Sequence, residues 1–592
     1  MNTNDNGPGS LRRAIGYGGT ITFDPGLDGD TIELTSGPLV AYLYDVIIDA
    51  SELGNGIRIS GLSASRVFEV DEGIDVKMIN LTISDGYALQ GAGIFNNGGA
   101  VTLENCTVEN NLTTGTGGPG DLLTGDGGGI LNGALQLSNG VVVRSDVKSR
   151  LTLNNSTVRN NTAEYGGGIA NIGGDIWVRN STISGNEARM GGGILNTAGI
   201  SASKDKPRNG HVELVNATVA DNTQGILELN LEGRPQGAGG IVNQNNSYTQ
   251  IFDIESFDCQ GEIEPDGYDS CTPANSIDVV HSTVASNIIT YPGGDPKNSA
   301  GIFHDPGRIG KPTNGYVRLV NSIIADNYNG AVNVDLIGSF TIQGNNLVTK
   351  RGDATFHNNG HEFTYPFEWT FFFKPLKNYG GDTETRPTLL GSAAGVFPGD
   401  NDFAPSHDQR GVTRPRGRNV DIGAVELITF ADALDTDVLT AISSLHDPGD
   451  LGASWFGQST TKCPWPECAV DNDDALQSGH IGVGRLSILN ASVTGPGRLS
   501  FWWKISGDFS DRLEFFLDGG IYDAIVEEVD WQQFSIDIPA GDHQLGWWFD
   551  AGSGTPGGAG WVDEVVFQPQ VQVTNCLLYT SPSPRDSYAD RV

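Results

Sequence analysis

Three groups of residues in this 592-residue chain have the types from which binding or reaction could be built. The first is Asp408, Arg410, Arg414, Arg418 and Asp421, within "DQRGVTRPRGRNVDIGAVEL". Carboxylates beside an arginine on one sheet face are what acid–base or metal-assisted cleavage of a polysaccharide needs. Here the charges alternate, and ion pairs capping the end of a repeat domain are the expected outcome. The second is a column, Asp85, Asn110, Asn160, Gly185, Asp221, Ser286 and Asp326, each five positions after a repeated residue described below. Asp, Asn, Gly and Ser exchanging at one position mark a bend, not a reacting constellation. The third is aromatic. Trp502, Phe516 and Trp548 fall on the polar side of alternating strands, among Ser500, Lys504, Glu514 and Asp550. Such a platform suits the stacking of sugar rings, unless a loop or the rings themselves cover it. Asp471, Asp473, Asp474 and Asp563 offer oxygens for a structural Ca²⁺, although a solvated acidic loop explains them as well. No other cofactor is expected, and the nine His lie in no Ser-His-Asp pattern.

These groups must be positioned by elements that repeat. One motif reads apolar-x-apolar-x-Asn-x-Thr, as in "LTLNNSTVRNN", with its key residue at Asn80, Asn105, Asn155, Asn180, Asn216, His281 and Asn321. A second is Gly-rich and ends in Gly-Ile, at Ile94, Ile130, Ile169, Ile194, Ile241 and Ile302. They alternate strictly. Asn155 to Ile169 and Asn180 to Ile194 span 14 residues each, and Ile169 to Asn180 spans 11. Other intervals are the same or longer. A unit of about 25 residues with loops extruded at two edges fits one turn of a parallel β-helix, whose coils share a core that none could bury alone. Leu151, Leu153 and Val158 should point inward. The repeated Asn, with His281 in its place once, should form a structural ladder of stacked amides. "GSLRRAI" should form a short helix with Ser10 as N-cap, closing the first coil.

"NTNDNGPGSLRRAI", "TITFDPGLDGDTIELTSGPL", the GGGI-N coils, "KPLKNYGGDTETRPTL" and "DQRGVTRPRGRNVDIGAVEL" together resemble a bacterial group of β-helix surface proteins, the choice-of-anchor Q and polymorphic outer-membrane protein-like chains. The resemblance covers about residues 2–427. It implies a secreted right-handed parallel β-helix, usually followed by further modules and a surface-sorting signal, and mostly without a demonstrated reaction.

After Glu426 the texture changes to aromatic strands, "GRLSFWWKIS", "DRLEFFLDGG" and "HQLGWWFDAG". Their alternation puts Leu499, Phe501, Trp503, Leu513, Phe515, Leu517, Leu545, Trp547 and Phe549 inside a jelly-roll β-sandwich similar to MAM or lectin modules. The expected division is therefore all-β: residues 1–428 as β-helix, 429–569 as sandwich, and 570–592 as an unstructured tail. "CLLYTSPSPRD" in that tail looks like a translated sequencing adapter, so a non-native ending is expected.

The net charge of −37 argues against nucleic acid or an anionic membrane as partner. Cys259 with Cys271 and Cys463 with Cys468 bracket short loops and are expected to be disulfide staples of an oxidising compartment, with free thiols as the alternative. No apolar run is long enough to span a membrane, and no signal peptide precedes Asn2, so the expectation is a fragment of a secreted or cell-surface protein lacking its signal and anchor. Loops inserted at one phase of a periodic coil emerge along one edge, which favours an extended binding surface over a deep pocket. The functional expectation is a monomeric, non-catalytic protein acting in adhesion or binding an extracellular polysaccharide or cell-surface glycan. A polysaccharide lyase or glycoside hydrolase is one alternative, and a structural spacer without ligand another.

Overall fold

A parallel coil needs sharp corners, and this chain makes them with left-handed residues at fixed phase. In one coil Asp175–Arg179, Thr182–Ser184, Glu187–Met190 and Ile194–Ala198 are strands. Asn180, Gly185 and Gly191, with φ of 49°, 62° and 68°, turn the three corners between them. The same conformation recurs at Asn80, Asn105, Asn155, Asn216, His281 and Asn321, and at Asp85, Asn110, Asn160, Asp221, Ser286 and Asp326. Asn and Asp tolerate positive φ best among residues with a side chain, which explains both columns.

The computed structural model describes residues 1–114, 125–133, 136–138, 141–143, 147–198, 208–225, 238–247, 274–290, 299–305, 315–330, 332–358, 361–364, 373–388, 399–416, 419–445, 453–459, 469–470, 474–553 and 558–570. Cys259, Cys271, Cys463, Cys468, Arg418, Asp471, Asp473 and residues 571–592 lie outside them. Two compact units result, Met1–Thr429 with Gly457–Asp473, and Phe430–Phe456 with Asp474–Val592.

The first unit is a parallel β-helix whose coils stack into sheets of 19, 11 and 8 strands. Its motifs stay in register from coil to coil. Ile94, Ile130, Ile169, Ile194, Ile241 and Ile302 pair in one row, and Leu103, Leu153, Val178, Leu214, Val279 and Leu319 in another. All are fully enclosed, as are Leu151 and Val158. The Gly-rich corners are needed because coils approach closely there: a Cβ on Gly168 would lie 2.7 Å from the Gly193 carbonyl oxygen of the next coil. At the start, Leu11–Ile15 forms a helix whose N-cap Ser10 accepts from the Arg13 N–H, with Leu11 and Ile15 buried.

Stacked amides are present, but not where the motif's Asn suggests. Asn111, Asn161, Asn186, Asn222, Asn287 and Asn327 form an unbroken ladder, each Nδ2 donating to the Oδ1 of the next at 2.9–3.0 Å. Asn327 ends it on Asp335 Oδ1 at 2.8 Å. A second ladder joins Asn96, Asn132, Asn171, Asn196 and Asn243 at 2.8 Å per rung. In the expected column, Asn80, Asn105, Asn155, Asn180, Asn216, His281 and Asn321, only Asn216 to Asn180 (3.2 Å) and the Asn321–His281 contact (2.9 Å) make rungs. A left-handed corner turns its side chain away from the coil interior, so neighbouring amides there are free to bond elsewhere.

The second unit is an antiparallel sheet dominated by two long strands, Arg485–Ser506 and Val529–Ala551, paired along their length. Arg512–Leu517 adds beside one end of the ribbon and Ala559–Pro569 beside the other. Phe501 pairs with Phe534 in the ladder, yet its ring also lies 5.2 Å from that of Trp547, whose own ladder partner is Leu489. The ribbon therefore folds back on itself into a sandwich. Leu499, Phe501, Trp503, Leu513, Phe515, Leu517, Leu545, Trp547 and Phe549 are all buried within it.

Candidate functional site

On the second sheet of the β-helix, the Asn-x-Thr motif directs the Asn to a corner and the Thr to the outer face. Over the later coils that track is covered by residues 373–388, 399–416 and 419–429. Asn216 Nδ2 donates to the His407 carbonyl at 2.7 Å. Thr218 Oγ1 donates to Gln409 Oε1 at 2.6 Å, and Gln409 Nε2 donates to Thr182 Oγ1 at 2.9 Å. Asn321 Nδ2 donates to the Asp400 carbonyl at 2.8 Å, while its Oδ1 accepts the Asp400 N–H at 2.9 Å. Arg386 forks onto Asp221 at 2.8 and 3.0 Å.

The charged motif lies inside this cover. Asp408 accepts from the Arg410, Val412 and Glu426 N–H groups at 2.7–2.9 Å and pairs with Arg410 Nε at 3.0 Å. Arg414 Nη1 reaches His281 Nδ1 at 2.7 Å and the Asp421 carbonyl at 2.8 Å, and Glu426 Oε2 lies 3.5 Å from it. The ion pairs are real, but they sit along the flank of the coils that hold Asn180 to Asn321 instead of capping a terminus. Mostly buried and bonded to one another and to main chain, these groups hold a cover in place, although Arg414 Nε has no partner among the described residues. Burial, then the repulsion of Glu426, raises the Asp421 carboxyl to about 7. Burial, then the Arg414 charge, drives His281 down to about 2, so the imidazole is neutral.

The outer face of the long sheet carries a residue that the sequence reading passed over. Trp177 alternates with the buried Ile176 and Val178, half-exposed between Thr152 and Glu213 of the adjoining coils. Glu213 and Asp278 follow in the same outward row, each held by an arginine: Arg179 to Glu213 at 2.9 Å, and Arg318 to Asp278 at 2.7 Å. The available signal was the alternation itself, which puts this Trp outside.

In the second unit, Phe516 and Trp548 come together with centroids 4.1 Å apart and planes 31° from parallel. The indole lies flat across the strand because position 546 has no side chain: a Cβ on Gly546 would be 2.9 Å from Trp548 Nε1. Trp548 keeps partial exposure, while Phe516 is 8% exposed, so the rings partly cover each other. Trp502 does not join them. Its ladder neighbours are Gln533 and Asp563, those of Trp548 are Ile488 and Glu514, and folding back the ribbon turns these two outer faces apart. Asp474 and Asp563 are buried. Among the described residues no cluster of three or more His, Cys, Asp or Glu is arranged to hold a metal, and no helix is long and apolar enough to cross a membrane.

Neither protein-family models nor curated proteins match the chain. Among solved structures it is similar to the secreted serine protease VesC from Vibrio cholerae, at 17% identity over 16% of this chain and 21% of the protease, with a TM-score of 0.16. Another is TmCBM61, solved in complex with β-1,4-galactotriose, at 13% identity over 25% of this chain and 100% of that one, TM-score 0.17. The enzymatically active domain of tailspike protein 4 from bacteriophage CBA120 aligns at 10% identity over 94% of this chain and 65% of the tailspike domain, TM-score 0.23. Similarity this low carries no functional argument.

Proposed function

We propose that this is a secreted or cell-surface protein, of the choice-of-anchor Q-like kind, in which a β-helix accompanies a sandwich that binds an extracellular glycan without cleaving it. The observation that carries the reading is the indole of Trp548, laid flat over Gly546 and backed by Phe516 on a polar sheet face. A flat, rigid aromatic surface is how a protein gains affinity for the apolar face of a pyranose at low entropic cost. The full chain should bind one or more neutral polysaccharides in affinity electrophoresis. Trp548→Ala should weaken that binding at least tenfold, and Gly546→Ala, which displaces the indole, several-fold. Trp502→Ala should leave it unchanged. Undiminished binding by Trp548→Ala would sink the proposal.

A lyase or hydrolase is the second reading, favoured by Glu213 and Asp278 beside Trp177. Adjacent parallel strands put such residues about 5 Å apart, within range of a retaining carboxylate pair. Their arginine partners suit them better to binding than to proton transfer. Release of reducing ends or unsaturated uronides that stops in Glu213→Gln would establish the second reading instead.

A further inference from the structure

The corner column has a consistent habit: where its Asn side chains are engaged outside the column, they grip main chain. Asn80 Nδ2 donates to the Ala50 and Leu53 carbonyls at 3.1 and 2.7 Å. Asn216 grips the His407 carbonyl, and Asn321 takes both the N–H and the C=O of Asp400. That two-point contact reads peptide backbone irrespective of side chain. Between these engaged members lies a gap. Among the described residues, the side chains of Asn105 and Asn155 bond to nothing, and Asn105 Oδ1 is buried with no donor facing it. The gap is a groove of about 290 Å³ whose lining includes Ser51, Asn105, Thr107, Asn155, Thr157 and Asp382. Ser51 belongs to the segment gripped by Asn80, and Asp382 to the cover that begins over Asn180. The groove therefore continues an interface the chain already makes with itself.

We propose that this groove docks a short extended polypeptide segment of a partner protein, its backbone amides paired with Asn105 and Asn155. An unpaired buried acceptor is destabilising, and an incoming N–H would relieve it. Asn105 and Asn155 stand one coil apart, roughly 4.8 Å, which lies between the advance of one and of two extended residues. Recognition through main chain makes the site tolerant of sequence, with small polar side chains suited to the Thr107–Thr157 wall.

The test uses the full chain labelled with ¹⁵N-asparagine, titrated with a blocked Ala-Ser-Ala-Ser-Ala peptide and with the same peptide N-methylated at alternate residues. Asn105→Gly and Asn155→Gly assign the side-chain signals and keep the positive φ that a larger residue would strain. Expected are saturable shifts of the Asn105 and Asn155 amides, lost in the double glycine variant and at least tenfold weaker with the methylated peptide. Four results would overturn the proposal: no saturable shift, equal binding of the methylated peptide, shifts confined to Asn216 and Asn321 through displacement of the cover, or the same shifts produced by a galacto-oligosaccharide in place of peptide. Unchanged thermal midpoints of the glycine variants exclude unfolding as the cause of lost binding.

Discussion

Two asparagines six positions apart do opposite jobs in most coils. Asn155 turns a corner with φ of 48° and leaves its amide outside. Asn161 is fully buried, accepts the Asn111 N–H and Nδ2 on its Oδ1 at 3.0 and 2.9 Å, and passes its own Nδ2 to Asn186. From Asn161 onward each buried amide is thus both donor and double acceptor, and the aligned dipoles run toward Asp335. That carboxylate also receives Thr349 Oγ1 and the Lys350 N–H, at 2.5 and 2.6 Å, while burial pushes it up to about 7. Replacing Asn186 by Ala strands the Asn161 N–H and the Val158 carbonyl, at about 1–3 kcal/mol for each orphaned group. Asn186→Ala should therefore lose about 3 kcal/mol in denaturant titrations, against less than about 0.5 kcal/mol for Asn155→Gly. Equal losses would mean that the ladder contributes no more than a corner. From sequence the two columns look alike, because both are Asn recurring once per coil. What separates them is the sign of φ at the Asn itself, positive at Asn155 and not at Asn161, which composition does not carry.

The cover shows what an element adds that a motif does not. Asp408, Arg410, Arg414 and Asp421 were legible as ion-pair formers, since they crowd into 14 positions, whereas Glu426 was not singled out. Their place was not legible, because nothing local encodes that the chain doubles back along earlier coils. The 25-residue coil was legible because in-register stacking fixes the spacing wherever no loop is extruded, as between Ile169 and Ile194, and lets it only lengthen elsewhere. In the sandwich, alternation picked out the enclosed residues, but Phe516, Lys504 and Glu514, expected on the outer face, are buried as well. It could not tell one outer face from the other, so Trp502 was grouped with rings that the folded ribbon turns away from it. His281 offers a test of the cover's seating. Its folded pKa of about 2 lies below the 6.5 of a free imidazole. The unfolded chain thus binds the extra proton, and the contribution of His281 is complete above about pH 6.5 and falls as the pH drops, at up to about 1.4 kcal/mol per unit. Asp421 acts in the opposite sense, since its raised value favours the native state at low pH. Comparison with His281→Asn, the residue found at the same corner in the other coils, isolates the His term. The melting temperature of the wild type should fall faster than that of His281→Asn between pH 6.5 and 4.5. Parallel profiles would show that this imidazole is not sealed under the cover.

At the scale of the whole molecule the dominant quantity is charge. With 72 acidic and 35 basic side chains, the chain carries −37, and the described ion pairs neutralise local groups without changing that sum. A net charge of this size repels itself in the compact state, and salt screens the repulsion over a Debye length that shrinks from about 30 Å at 0.01 M to about 3 Å at 1 M. The melting temperature should therefore rise with NaCl between 0.01 and 0.5 M, by several degrees. A flat or falling curve would mean that local pairs such as Arg318–Asp278 and Arg159–Glu109, which screening weakens, outweigh the global field. Divalent cations divide the question further. Mg²⁺ and Ca²⁺ at equal ionic strength screen alike, whereas a site of flexible oxygen ligands prefers the larger ion. An increment with Ca²⁺ that Mg²⁺ lacks, and that Asp474→Asn or Asp563→Asn abolishes, would assign a structural ion to the acidic residues of the sandwich. Equal increments would leave screening of the −37 as the whole explanation, and would place those aspartates with the many others that keep this protein soluble.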